Sequence, residues 1–163
     1  FRRVLFRSME ARQIFYGRFR QRHLAYLKAL PGAAGALRAL ASNGIALGIV
    51  SNKSGDLLRR EVGYLGWHDL FAGAVVGAGD APRDKPAPDP VERALARFDM
   101  KPSGEVWFVG DAGIDMACAT AAGCFGVLIG SDPAAPEFAA HPPGRHVAGF
   151  EELVALVADG AAA

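Results

Sequence analysis

The chain has 163 residues, a length that fits one domain and lets it bury roughly 70% of the surface its unfolded form exposes. Hydrophobic residues make up 51% and charged residues 21%, and 18 Lys+Arg against 17 Asp+Glu leave a net charge of +1. Bulk charge therefore gives no basis for a nucleic-acid or membrane partner. The sequence has no apolar run of the roughly 18 residues that a membrane-spanning helix needs. Cys118 and Cys124 lie six residues apart without CxxC or histidine-rich company, which suits buried free thiols in a reducing cytoplasm.

Phe1 to Ser8 lacks an initiating Met, and its apolar core Val4-Leu5-Phe6 is too short for a signal peptide. Residues 1–8 are read as a non-native junction, with native sequence from Met9. From Met9 to Leu30 the positions Ile14, Phe15, Phe19, Leu24, Leu27 and Leu30 recur near helical spacing, which predicts an amphipathic helix. Pro31-Gly32 breaks it. A second helix is expected over Ala33 to Ser42, closed by Asn43-Gly44.

Ile45 to Val50 follows as a strand. A helix starts near Ser54, carries Leu57, Leu58, Val62 and Leu65 on one side, and stops at Gly66. Trp67 to Phe71 bridges to a short strand, Ala74 to Val76. Residues 77–90 hold four prolines and form a loop whose Pro90 opens the next helix, running to about Phe98. Then come a strand over Val106 to Val109, a helix over Ile114 to Ala122, a strand over Phe125 to Ile129, a Pro/Ala/Gly-rich stretch from Ser131 to Gly144, and a last helix over Phe150 to Ala158. Strands alternating with helices imply βαβ units and a mostly parallel α/β sheet.

Polar groups gather at three strand ends or loops. Ser51-Asn52-Lys53 follows the first strand at a helix entrance, where backbone N–H groups favour anions or where the side chains simply cap. Arg83-Asp84-Lys85-Pro86-Ala87-Pro88 holds a lysine in a proline-stiffened loop, as a fixed point charge or as solvated surface. Val106 to Gly110 delivers Asp111 and Asp115, four residues apart. A strand-end acid and a first-turn acid can hold Mg²⁺ together with waters and a substrate phosphate. They can equally serve as an N-cap and a helix-dipole partner, and the segment alone leaves both readings open.

In this order and spacing, Ile49-Val50-Ser51-Asn52-Lys53, Lys85-Pro86-Ala87-Pro88-Asp89-Pro90 and Val109-Gly110-Asp111-Ala112-Gly113-Ile114-Asp115 resemble the haloacid dehalogenase-like hydrolase superfamily, in particular its phosphoglycolate phosphatase-like branch. Ala121-Ala122-Gly123 and Leu30-Pro31-Gly32 extend the likeness over about residues 9–158. The resemblance implies a three-layer, Rossmann-like parallel-sheet core over 31–163, with 9–30 a remnant of a helical cap. It implies a Mg²⁺-dependent phosphatase acting on a small phosphorylated metabolite. Ser51 would hydrogen-bond the transferring phosphoryl group, with Asn52 beside it shaping the pocket. Lys85 would neutralise phosphate charge. Asp111 would ligate Mg²⁺, and Asp115 would support the metal shell or orient Lys85.

The family's reaction begins with an aspartate nucleophile in an Asp-x-Asp segment at the end of its first strand. This sequence contains no Asp-x-Asp, and its first aspartate is Asp56. The expectation is a core lacking the nucleophile strand and most of the cap, inactive alone, with a gap between the strands ending at Ser51 and Asp111. Val4-Leu5-Phe6, flanked by arginines, is not expected to fill that gap. Ala112 stands where the family often has Ser or Thr, which removes one hydrogen bond near the metal. Two other readings are a non-catalytic α/β module that binds phosphate or metal, and another chemistry of the family, such as a phosphosugar mutase or a dehalogenase. A dinucleotide site fits poorly, since Gly110-x-x-Gly113 lacks the third glycine.

Overall fold

The computed structural model describes residues 23–158. The 1–8 segment and most of the helix expected from Met9 lie outside them. Within the described part that helix covers only residues 23–26, and it does not reach Leu30. A closing turn, in which Leu27 N donates to Leu24 O, ends it; Leu30, which precedes Pro31, is 68% exposed.

Helix α1 spans Ala33–Ser42 and buries Ala33, Ala36 and Leu40. Strand β1 is Ile49–Ser54, α2 is Gly55–Tyr64, and a 3₁₀ turn over His68–Phe71 leads to β2, Val75–Ala78. Helix α3, Asp89–Leu95, opens with Pro90 in its first turn and tightens into 3₁₀ over Ala96–Phe98. Strand β3 is Trp107–Gly110, α4 is Gly113–Ala122, β4 is Phe125–Ile129, β5 is Arg145–Val147, and α5 is Phe150–Ala158.

Besides one-residue shifts at element ends, as in β3, three features differ from the sequence reading. The first strand starts at Ile49 instead of Ile45, because the neighbouring β2 begins opposite Ile49 and leaves Ile45 to Gly48 without a strand partner. The second runs Val75–Ala78 instead of Ala74 to Val76. The third difference is β5, a three-residue strand whose Arg145 and His146 are exposed; its only buried residue is Val147, so no apolar run marks it.

All pairings are parallel, and among the described residues they form two sheets, β1-β2 and β3-β4-β5. No described strand lies between β1 and β3. The alternation of side chains along β3 and β4 shows the layering. Phe108 joins Val91 of α3 with Cys118 and Ala119 of α4, whereas its neighbour Trp107 packs with Val127, Val147 and Leu153 of α5. Leu128 turns back to Met116 of α4 and to Phe138. Helices α3 and α4 thus cover one face of the sheet and α5, with α1 packed on it, the other. Val50 of β1 reaches the Phe108 cluster, so the two sheets share apolar contacts without sharing hydrogen bonds.

Candidate active site

The carboxyl ends of β1 and β3 and the loop after β2 converge on one crevice, the usual ligand position of an open α/β sheet. At β1 the ladder slips: Val50 pairs with Val76, but Ser54 pairs with Ala78, so three residues of β1 oppose Gly77 alone. The slip pushes Ser51, Asn52 and Lys53 out of regular pairing, as a bulge does. Gly77 is required opposite it, since a Cβ there would lie 2.5 Å from Gly55 Cα and 2.6 Å from Lys53 O. Ser51 Oγ accepts the Lys53 N–H at 3.1 Å.

Asn52, to which the resemblance gives a pocket-shaping role, binds the main chain of the lysine loop. Its Nδ2 donates to Lys85 O and its Oδ1 accepts from Lys85 N, both at 3.1 Å. This reciprocal grip fixes the Lys85 backbone to β1. The Asn52→Ala variant is expected to lose both bonds, a cost of about 1 kcal/mol at this exposed site. A thermal melt checks it, with a midpoint lowered by about 2–4 °C. An unchanged midpoint would show that water replaces the grip without loss.

From that anchor the Lys85 side chain runs inward. Nζ donates to Asp115 Oδ1 at 2.6 Å, and the two side chains are only 10% and 9% exposed. The ammonium also stands 5.8 Å from the centre of the Phe108 ring, within range of a cation–π attraction. The second oxygen of Asp115 accepts the N–H groups of Asp111, at 3.3 Å, and Ala112, at 3.2 Å. The acid therefore closes the entry to α4 from within, and no side chain caps at Ala112. Glu137, brought in by the 3₁₀ turn Pro136–Phe138, accepts the Gly113 N–H at 3.2 Å.

Asp111 is exposed, and its carboxylate makes no hydrogen bond or ion pair among the described residues. Its main chain is held, however, by Ser131 Oγ donating to Asp111 O at 2.7 Å. No group of three or more His, Cys, Asp or Glu side chains among the described residues could hold a metal ion. The donors that fit a hard cation are the free carboxylate of Asp111 and, beside it, Asp115, whose oxygens are already engaged. A one- or two-carboxylate set suits Mg²⁺, which keeps waters and takes substrate phosphate oxygens as ligands.

The structure thus brings Lys85 and Asp115 into direct contact and ties Asn52 to Lys85. Ser51 borders them at the bulge, and no hydrogen bond among the described residues joins its side chain to Lys85 or Asp111. Sequence reasoning missed Ser131, Glu137 and Phe108; Ser131 and Glu137 lie in a stretch where only the chain's path, and no motif, marks them. Cys118 also lies close by, its thiol donating to Ala87 O at 3.3 Å. Burial pushes that thiol up to about 11, offset in part by Lys85, so it is neutral near pH 7 and acts as packing.

The parallel α/β core thus carries a buried lysine-aspartate pair and a free strand-end aspartate at its carboxyl edge. Residues 3–129 match the family model for haloacid dehalogenase-like hydrolases, and the chain belongs to that family. It is 35% identical over 94 residues to a phosphoglycolate phosphatase of Salmonella choleraesuis, covering 58% of this chain and 36% of that protein. A phosphoglycolate phosphatase of Cereibacter sphaeroides (strain ATCC 17025 / ATH 2.4.3) is 34% identical over 117 residues, 72% of this chain and 52% of the relative. The chain therefore spans between about a third and a half of these relatives' length. Among solved structures, a haloacid dehalogenase-superfamily hydrolase from Ehrlichia chaffeensis superposes with a TM-score of 0.69 at 27% identity, covering 96% of this chain and 78% of that one. No helix among the described residues is long and apolar enough to cross a membrane.

Proposed function

We propose that the chain is the phosphate- and metal-holding part of a Mg²⁺-dependent phosphomonoesterase acting on a small organic phosphate in the cytoplasm, with phosphoglycolate the first substrate to test. The observation that carries this reading is the buried Lys85–Asp115 pair beside an unengaged Asp111 carboxylate. Phosphoryl transfer asks chiefly for positioned charge, and such a pair supplies it in a site with little water. Lys85 Nζ, with hydrogens left after its bond to Asp115, donates to a non-bridging phosphoryl oxygen. Ser51 Oγ donates to a second oxygen from the β1 bulge. Asp115 keeps the ammonium aimed. Mg²⁺ held at Asp111 would neutralise charge on the phosphate, with Asp115 supporting its water shell.

Turnover by the family's route also needs an aspartate nucleophile, and the sequence contains no Asp-x-Asp. A second reading is a non-catalytic module that binds phosphate or Mg²⁺ and stops there. Mg²⁺ and phosphate titrations by calorimetry, joined to p-nitrophenyl phosphate hydrolysis with and without a supplied Asp-x-Asp strand, separate the two. Saturable binding in both forms is expected, with hydrolysis only when the strand is present. Asp111→Asn should abolish Mg²⁺ binding, and Lys85→Ala should lower phosphate affinity about tenfold or more. Unchanged binding in both variants would refute the site assignment. Binding without hydrolysis in the supplemented form would leave the module reading standing.

A further inference from the structure

A cavity of about 190 Å³ lies along the outer edge of β2, lined by Arg59, Gly73, Val75, Val76, Asp80, Arg93 and Arg97. Four segments build it. Arg59 comes from α2, Arg93 from α3 and Arg97 from the 3₁₀ turn after it, while Asp80 folds back from the end of β2. Arg97 lies against Gly73, just before β2: a Cβ on Gly73 would stand 2.9 Å from Arg97 Nη2 and 3.5 Å from Nε. Gly73 takes φ +80, so the position favours glycine on backbone grounds as well.

Charge in the cavity is unbalanced. Asp80 is consumed internally, its Oδ2 accepting from Arg59 Nη1 at 2.6 Å and from Gly77 N at 2.8 Å, and its Oδ1 from Arg59 Nη2 at 3.3 Å. Asp56, 80% exposed at its side chain and outside the lining, also touches Arg59. Asp80 is held below the usual carboxylate range first by its bond to Arg59, with a smaller contribution from Arg93, which places Arg93 close enough to act on the cavity. Arg93 and Arg97 make no ion pair with a described residue. With Arg59 paired to Asp80, two guanidinium groups that have no ion-pair partner among the described residues line the same space.

We propose that this cavity is a second anion site, separate from the Lys85–Asp115 centre, that takes a small doubly charged tetrahedral oxyanion such as inorganic phosphate. Two planar forks at fixed positions suit an oxyanion that accepts several N–H bonds at once. The volume corresponds to about six waters at roughly 30 Å³ each, below the roughly 300 Å³ at which pockets begin to hold drug-sized molecules. The part of a ligand held here is therefore of the size of a phosphate or of a phosphate ester with few carbons. None of the lining residues belongs to the candidate active site. Gly73 also precedes β2, whereas that site lies at the carboxyl ends of the strands.

The test is an amide NMR titration of the ¹⁵N-labelled chain with potassium phosphate at constant ionic strength, with sodium sulfate and sodium chloride as comparison salts. Saturable shifts at Gly73, Val75 and Val76 are expected with phosphate and sulfate and not with chloride. They should persist in Lys85→Gln and weaken about tenfold or more in the Arg93→Gln/Arg97→Gln double variant. Arg97→Gln alone gives an independent reading of the same effect, and both side chains are exposed, so the fold does not depend on them. Shifts that rise linearly without saturating, equal response to chloride, or an unchanged affinity in the variants would each overturn the proposal. Shifts at Asp111 and Ala112 report the active site instead, so failure there and failure here are read separately.

Discussion

Asp115→Ala is expected to lower the stability of the folded chain by about 3–5 kcal/mol, the cost of removing one partner from a buried ion pair. The residue carries more than one ligand's share of the site. One oxygen neutralises Lys85 and the other accepts two backbone N–H groups, all beneath a surface that leaves the pair about one-tenth exposed. Alanine leaves an ammonium and two N–H groups without acceptors in a region with little room for water. Asp115→Asn separates the contributions. An amide oxygen can still accept the backbone N–H groups, but a neutral partner no longer balances Lys85, so an intermediate loss is expected. Urea titration of the two variants, of Lys85→Met and of the double variant gives the coupling energy directly. A loss below about 1 kcal/mol for Asp115→Ala would mean that the pair is solvated, and the geometry proposed for phosphate binding would fall with it.

The second large effect is expected at Gly110→Ala. A Cβ on residue 110 would stand 2.3 Å from Asp115 Cβ and 2.5 Å from Asp115 Cγ, and neither can yield cheaply. Residue 110 ends a hydrogen-bonded strand, paired with Leu128, and Asp115 is fixed in the first turn of α4. The helix must move off the strand or the carboxylate must leave Lys85. Overpacking of this kind costs about 1–3 kcal/mol. Because the displaced group is the one that aims Lys85, phosphate affinity should fall with stability. Gly104→Ala is the control, since its Cβ would meet nothing within 4 Å, and it should stay within about 0.5 kcal/mol of the parent chain. Equal behaviour of the two variants in melting and phosphate titration would show that the glycine is not needed by the aspartate.

The two aspartates were legible as a pair, but the reason for the glycine before them was not. Spacing along a sequence shows that residues 110 and 115 are near each other, and only the packed turn shows that the second acid occupies the first residue's side-chain space. Helices Ala33–Ser42 and Phe150–Ala158 and strand Phe125–Ile129 stood out because their apolar residues follow one period between clear turn signals. Strand β1 was displaced in the reading because Ile45 to Val50 is apolar, whereas pairing depends on where β2 begins. Asn52 was singled out, but its grip was hidden: it holds a backbone, and nothing in the identity of residue 85 announces that its N–H and C=O need a side-chain partner. The cavity beside β2 escaped for a related reason, since Arg59, Arg93 and Arg97 belong to different elements and look like ordinary helix-surface charge until the fold assembles them.

The slip in the β1 ladder has a mechanical consequence. By freeing Asn52 to grip Lys85, it starts a polar relay that runs through Lys85 to Asp115, from the β1-β2 half of the molecule to the β3-β4-β5 half. Beside the packing of Val50 on the cluster around Phe108, this relay spans a seam that no described strand crosses. The residues assigned to chemistry are therefore also fasteners. Most enzymes can exchange stability for activity at their reactive groups, but here weakening the site loosens the joint, so selection on either property acts on the same three side chains.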